Sequence, residues 1–371
     1  DRVPVDAELS TEAVLLLVDP AYPGLQEFAA AMQAGDLERA QEVLAKHFAT
    51  RERPVVPPPD FSGVGEGNST IFIRPGADRA NADATFMKHV FTSRNNDAGT
   101  VETHDLGPRI QWTRNPSKAL SWILYINQLN HLAALAGIYR DTGEDRYVRE
   151  VGEQLVSWTE QVHRGYGYTR GEELVDSGME VRNRLCNLVA AYDLVRKSPA
   201  LTPRMHLAFW KMFIACCREL MEYEGVSYTG LIPTAVMFPE FSEAKTWLKS
   251  GEENLRHCLV SRTSPEGAWD THSISYQTVP VPWAARVLEF LEANPGSGDF
   301  AETARMVRTQ CRKLLGLMLW VAMPNGGLPN IGDTYGRPDW DGGTLSGFLE
   351  SYLIRFGGFS PEEQARLKGI A

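Results

Sequence analysis

Apolar positions recur at three- and four-residue spacing over most of this chain, the pattern of helices that bury one face. Leu25–Thr50 reads as two helices split at Ala34-Gly35-Asp36. The run Pro116–Arg140 starts after Asn115, a candidate N-cap, with Pro116 at the first helical position. It stops at Asp141-Thr142-Gly143, and a helix over Asp145–Val162 follows at once, which makes a helical hairpin. The unit recurs as Gly178–Lys197 with Arg204–Tyr223, as Ser242–Val260 with Val281–Glu292, and as Phe300–Met323 with Gly343–Arg355. Phe359–Gly369 reads as one short polar helix.

Successive helical hairpins stack into an open solenoid or close into a ring. The long irregular loops between these helices favour a ring, with the loops crowding one mouth where function usually lies. The predicted fold is all-α: an α/α toroid, an incomplete ring of helical hairpins with long loops and minor strand content. Residues 1–60 are expected to form an N-terminal helical hairpin and a proline-rich connection packed on the toroid of residues 61–371. Arg53–Pro59 carries too much proline for a helix interior. Asp60–Arg109 is too long for an idle connection. Its apolar residues, such as Phe61, Ile71, Phe86 and Phe91, argue for wrapping rather than for a flexible linker. Within it Thr70–Arg74 reads as a strand and Lys88–Asn96 as a polar segment.

Composition narrows the function. The 371 residues are 43% hydrophobic and 23% charged, enough for a substantial core. A net charge of −10 argues against general nucleic-acid binding, although a local basic cleft can still meet an acidic substrate. No apolar run is long enough for a membrane-spanning helix. The chain begins at Asp1 without a signal-like segment, which reads as a mature or trimmed product. Cys186, Cys216, Cys217, Cys258 and Cys311 lie in apolar helical patterns and have no metal-binding spacing. They read as small buried side chains, and neither a disulfide framework, a metal nor a cofactor is expected.

The densest candidate chemistry is Ser264–Gln277, S-P-E-G-A-W-D-T-H-S-I-S-Y-Q. After a turn it presents Asp270, His272, Ser273, Tyr276 and Gln277. A tyrosine serves as both base and acid when its surroundings lower its pKa from about 10; the alternative is a ring that packs with its hydroxyl in water. Arg182 and Arg184 match anions with their guanidinium forks; the alternative is an arginine paired to Glu180 at i, i+4, the spacing of Arg184. Trp112, Trp269 and Trp340 fall in loops and suit stacking on sugar faces. Trp122, Trp158, Trp210, Trp247 and Trp320 fall in helices and read as core. Lys88 and His89 lie within reach of the mouth if the long loop folds over it.

Several segments, in order and spacing, resemble the α/α-toroid domain of the heparinase II/III-like polysaccharide lyases. Met32–Ala40 followed by Arg51-Glu52-Arg53-Pro54 looks like the family's opening hairpin. Trp112–Pro116 and Ala136–Gly143 look like its first toroid hairpin, and Met179–Arg184 carries the family's Glu and Arg spacing. Ala235–Phe241 with Trp247, Pro265-Glu266-Gly267 with Ser273 and Tyr276, and Pro324–Gly336 extend the likeness to about Trp340. The resemblance implies β-elimination on a uronic-acid-containing polysaccharide, with Tyr276 as proton carrier and Arg184 at a substrate-binding position; His272, four residues before Tyr276, reads as an auxiliary group or as a histidine of a surface loop.

This sequence departs from the family in three places. About seventeen residues before Pro239 the family places Asn, often Asn-His; here stands Glu222, with Glu224 nearby. Either glutamate would face the uronate only if neutral, through burial or a shared proton; the alternative is an acidic, solvated helix end. Gln277 follows Tyr276 where His is common. The family's C-terminal β-sandwich is not expected within this chain. The predicted activity is therefore a polysaccharide lyase whose catalytic residues are Tyr276, Glu222 and His272. Its predicted substrate contacts are Arg184, Arg182, Glu224, Gln277, Trp112 and Trp269. Its predicted partner is an acidic poly- or oligosaccharide, and its location the bacterial periplasm or exterior. A toroid glycoside hydrolase using Asp270 with Glu222 or Glu224, and a non-catalytic glycan-binding toroid, are the rival readings.

Overall fold

The computed structural model describes residues 3–57, 79–95, 99–163, 169–170, 173–174, 178–223, 227–271, 273–329 and 345–370. Four short helices come first: α1 (Val5–Glu8), α2 (Thr11–Leu16), α3 (Gln26–Gln33) and α4 (Leu37–Thr50). Ser10 and Asp36 cap α2 and α4 by accepting from the backbone N–H three residues on. After α5 (Arg79–Ala84), strands β1 (Val90–Asn95) and β2 (Thr100–Asp105) form an antiparallel hairpin with Val90 opposite Asp105.

The ring follows, in antiparallel pairs. Helix α6 (Leu120–Asn127) leads into α7 (Asn130–Thr142) and α8 (Asp145–Gln161). A minimal hairpin, β3 (Thr169–Arg170) with β4 (Glu173–Leu174), precedes α9 (Gly178–Val195) and α10 (Pro203–Leu220). Then come α11 (Tyr228–Met237) with α12 (Ala244–Arg256), and α13 (Pro280–Ala293) with α14 (Ala301–Val321); α15 (Leu345–Arg355) and α16 (Pro361–Lys368) pack beyond them. Helices α7, α9, α11 and α13 pack side by side as an inner row, and α8, α10, α12 and α14 each back their inner partner. This is an α/α toroid.

Helix α11 shows why the inner row holds. All ten of its residues are buried, because it is apolar on every face. Leu231, Ala235 and Met237 enter one core cluster, whereas Tyr228, Ile232 and Val236 enter the other. Each such aliphatic side chain contributes about 1.5–3 kcal/mol by leaving water. Pro233 lies inside this helix and removes the N–H that would meet the Thr229 carbonyl. The Cys186 thiol donates to that carbonyl instead, at 3.4 Å.

The hairpin pairing differs from the sequence expectation. Gly230 and Pro233 broke the helical signal of α11, which shifted the later pairs by one helix. The true pairs are α11 with α12 and α13 with α14. Pro116–Arg140 is two helices rather than one, because Leu129 between them takes a left-handed backbone, φ 55°. The segment read as merely polar around Lys88–Asn96 contains β1. The expected strand Thr70–Arg74 lies outside the described residues. No helix among the described residues is long and apolar enough to cross a membrane.

The N-terminal helices are tied to the ring by the segment Phe238-Pro239-Glu240-Phe241. Phe241 bridges Val18, and the Asp19 amide donates to the Glu240 carbonyl at 2.8 Å. The Glu240 side chain is 1% exposed and accepts from His47 Nε2 at 2.9 Å and Arg51 Nη1 at 2.6 Å. Arg51 also donates to the Met237 carbonyl and lies over the Phe48 ring, 4.6 Å from its centroid.

Candidate active site

The loop that carries Tyr276 is built as a rigid platform. Helix α12 ends in a π-helical turn, His257–Ser261, the kind of local insertion that re-aims a chain and recurs at functional sites. The loop then folds back on itself. Thr263 bridges Trp269, Ser264 N donates to the Ala268 carbonyl at 2.8 Å, and Asp270 N donates to the Arg262 carbonyl at 2.7 Å. The Trp269 indole donates to the Cys258 carbonyl at 3.1 Å, and the Arg262 guanidinium lies 4.9 Å from its ring centroid. The chain closes into a 3₁₀ turn, Ile274–Thr278, in which Tyr276 N donates to the Ser273 carbonyl at 3.2 Å.

Gly267 is required at the tip of that loop. Its φ is +97°, and a Cβ placed there would run into the Lys313 carbonyl of α14. Gly267→Ala is expected to cost about 1–3 kcal/mol in backbone strain alone. The unfolding midpoint and the turnover should fall together. An alanine variant with the parent's midpoint would show that α14 does not clamp this loop.

Tyr276 is partly buried, in the middle of the 3₁₀ turn. Two contacts tie the start of α9 to its neighbours, one of them α13, the helix that follows this turn. Arg182, 1% exposed, lies 4.0 Å from the ring centroid of Trp283 on α13, the helix that the Tyr276 turn leads into. Its Nε and Nη2 donate to Asn183 Oδ1 at 3.1 and 2.8 Å, and its buried Nη1 has no hydrogen-bond partner among the described residues. Burial first, opposed by the Cys186 and Tyr228 groups, pushes the guanidinium below its ordinary value. On the other side, the ring of Tyr223 packs over Gly178, so closely that a Cβ there would lie 2.9 Å from its Cγ. The first turns of α9 therefore connect the end of α10 with the start of α13.

Several expected contacts have other roles. Trp112 is not a sugar platform: it is 1% exposed, stacked 5.9 Å from His131, and its indole donates to Ser157 Oγ at 3.4 Å. Arg184 is buried, donates from Nε to the Asn127 carbonyl at 2.7 Å, and lies 4.8 Å from the Trp158 ring centroid. It pins α9 to its neighbours. Gln277 is buried, with both ends of its amide bonded to the loop backbone. Trp269 is partly buried and its indole N–H is committed to the Cys258 carbonyl. Glu222 is exposed just beyond the end of α10. Asp270 is exposed. Glu224 and His272 lie outside the described residues.

His89 is also not at the mouth. Its ring lies between the Gly107 carbonyl, 2.7 Å from Nδ1, and the Glu150 carboxylate, 2.9 Å from Nε2, fastening the β1–β2 hairpin to α8. Beside it a cleft of about 470 Å³ opens between α8 and the start of α10. Arg204 and Glu160 pair across its lining. The lining is of mixed charge and includes none of the loop residues around Tyr276. Sequence reasoning missed Trp283 and Tyr223, because no helical spacing relates Trp283 to Arg182 or Tyr223 to Gly178.

The toroid and the tyrosine-bearing loop at its helix ends define the class: an α/α-toroid domain with its candidate chemistry on one connecting loop. Residues 14–340 match the family described as Heparinase II/III N-terminus, and the chain belongs to that family. It is similar to a heparin-sulfate lyase of Pedobacter heparinus, at 23% identity over 332 residues, 85% of this chain and 47% of that protein. It is also similar to a heparin-sulfate lyase of Bacteroides thetaiotaomicron, at 24% identity over 304 residues, 76% of this chain and 42% of that protein. The crystal structure of heparan sulfate lyase HepC from Pedobacter heparinus superposes with a TM-score of 0.64 at 20% identity, over 86% of this chain and 50% of that one. A crystal structure of heparinase III superposes with a TM-score of 0.66 at 19% identity, over 86% and 49%. The chain thus spans about half the length of the curated relatives it matches.

Proposed function

We propose that this toroid is the catalytic domain of a polysaccharide lyase that cleaves an acidic, uronic-acid-containing glycan by β-elimination. The observation that carries this reading is Tyr276, held on a braced 3₁₀ turn within a chain of the heparinase II/III family. The C5 proton of a uronate is weakly acidic, and its removal builds negative charge beside the carboxylate. A tyrosine phenolate takes that proton. The electron pair forms the C4–C5 double bond as the C4–O4 bond breaks, and the phenol returns a proton to the departing O4. Base and acid are then one residue acting on one face of the sugar.

The charge that builds near the carboxylate needs an opposing positive field. Arg182 is our candidate: it is buried behind Trp283, so it acts as a fixed charge rather than as a direct contact. His272 is retained as an auxiliary group, and Glu222 or Glu224 as a contact only in a neutral state. The substrate class is a glycosaminoglycan, with heparan sulfate first to be tried because the relatives are named for it. A polymeric glycan is met outside the bacterial cytoplasm, so the protein is proposed to act in the periplasm or beyond the cell.

The test is incubation with heparan sulfate, chondroitin sulfate, hyaluronan and alginate, following the ultraviolet absorbance of new C4–C5 double bonds. Absorbance should grow on one of them, and Asp270→Asn should retain it. Cleavage without that absorbance, abolished by Asp270→Asn, would replace the lyase with a hydrolase.

A further inference from the structure

We propose that Gln277 is a positioning residue: its side-chain amide is the staple that holds Tyr276 in its productive orientation. The inference rests on the lyase reading for its kinetic consequence, but its structural content stands by itself.

Gln277 is 2% exposed. Its Oε1 accepts from the Trp269 backbone N–H at 2.9 Å, and its Nε2 donates to the Gly267 carbonyl. One amide therefore satisfies a donor and an acceptor on the far limb of the loop, eight and ten residues back. Consecutive side chains in a 3₁₀ turn diverge by about 120°, at three residues per turn. Gln277 pointing inward thus fixes the direction in which its neighbour Tyr276 leaves the turn. Gly267, the acceptor of the staple, is itself pressed on α14, and Trp269, the donor, is anchored to the Cys258 carbonyl. The staple consequently transfers the rigidity of α12 and α14 to the tyrosine.

The chemistry of the staple needs a neutral amide. A carboxylate accepts from Trp269 N–H but repels the Gly267 carbonyl, and a thioether can do neither job well. A misplacement of about 1 Å at a reacting group costs about a hundredfold in rate.

Gln277→Met and Gln277→Glu would be compared with the parent for unfolding midpoint, kcat, KM and backbone amide exchange. In the Met variant kcat should fall about ten- to a hundredfold with KM held within about twofold. The amides of Trp269 and Tyr276 should exchange faster, while those of α11 keep their protection. In the Glu variant, activity relative to the parent at the same pH should rise as pH falls toward the carboxyl range, where a neutral acid can donate to the Gly267 carbonyl again. The Met variant should show no such recovery. Unchanged protection of the Tyr276 amide in Gln277→Met would overturn the proposal, and this readout holds even if no glycan is cleaved. A rise in KM at constant kcat would overturn it too, by making Gln277 a substrate contact. An inactive parent with the exchange pattern intact would reject the lyase reading and leave the staple standing.

Discussion

Tyr276→Phe is expected to lower kcat on the cleaved glycan by about 10²–10⁴-fold, the range that a positioned acid–base group supplies. KM and the unfolding midpoint should change little. The residue is partly buried on a 3₁₀ turn braced by backbone bonds and by Gln277. The phenylalanine ring fills the same space and lacks only the group that moves the proton. The loss should be deep because one hydroxyl is assigned both steps, deprotonation at C5 and protonation at O4. Initial rates by absorbance, with the midpoint measured on the same sample, check this. A Phe variant within about threefold of the parent, against that 10²–10⁴, would remove Tyr276 from the chemistry.

The second large effect is on stability. Glu240→Gln should cost about 3–5 kcal/mol, because removing one charge from a buried pair leaves the other without compensation. Arg51, with its side chain 8% exposed, would keep its positive charge in the angle between α4 and the Phe238–Phe241 segment. Burial raises the proton affinity of Glu240, but the His47 hydrogen bond and the Arg51 charge together outweigh it, and the carboxyl titrates below its ordinary value. The sign follows from that direction. The ionised carboxylate stabilises the fold above the ordinary glutamate range, and this contribution is lost as pH falls through the lowered native value. The parent should therefore lose stability along an acid limb, and the Gln variant should show a shallower one. Denaturant titrations from neutral pH downward measure both. Parallel acid limbs in parent and variant would mean that another carboxylate governs acid unfolding.

Glu240 also shows how a family-like motif can be structural. The segment Ala235–Phe241 carries part of the sequence resemblance, yet its glutamate fastens the N-terminal helices to the ring through His47 and Arg51. Sequence periodicity read the toroid correctly because most helices bury one face at 3.6-residue spacing. It missed α11 because a helix buried on all sides has no polar face to mark it, and Gly230 and Pro233 resemble breakers. Pro233 is tolerated because the Cys186 thiol meets the freed carbonyl, a contact forty-three residues away in sequence that no local rule reveals. It joined α6 to α7 because Leu129 has no signature of the left-handed backbone it adopts.

The candidate site was legible in outline only. Residue type and resemblance singled out Tyr276 and its loop. The direction of each side chain was not legible. Trp112, Arg184 and Gln277 have the chemistry of sugar and anion contacts, and burial commits all three to internal partners. Trp283, which covers Arg182, read as one more helical position.

The most direct test of the central claim is mass spectrometry of the products formed in oxygen-18 water. β-Elimination breaks the C4–O4 bond without consuming water, so the fragments should carry no heavy oxygen and their masses should sum to that of the parent glycan. Heavy oxygen at the new chain end, with the fragments exceeding the parent by the mass of one water, would contradict the account and identify a hydrolase.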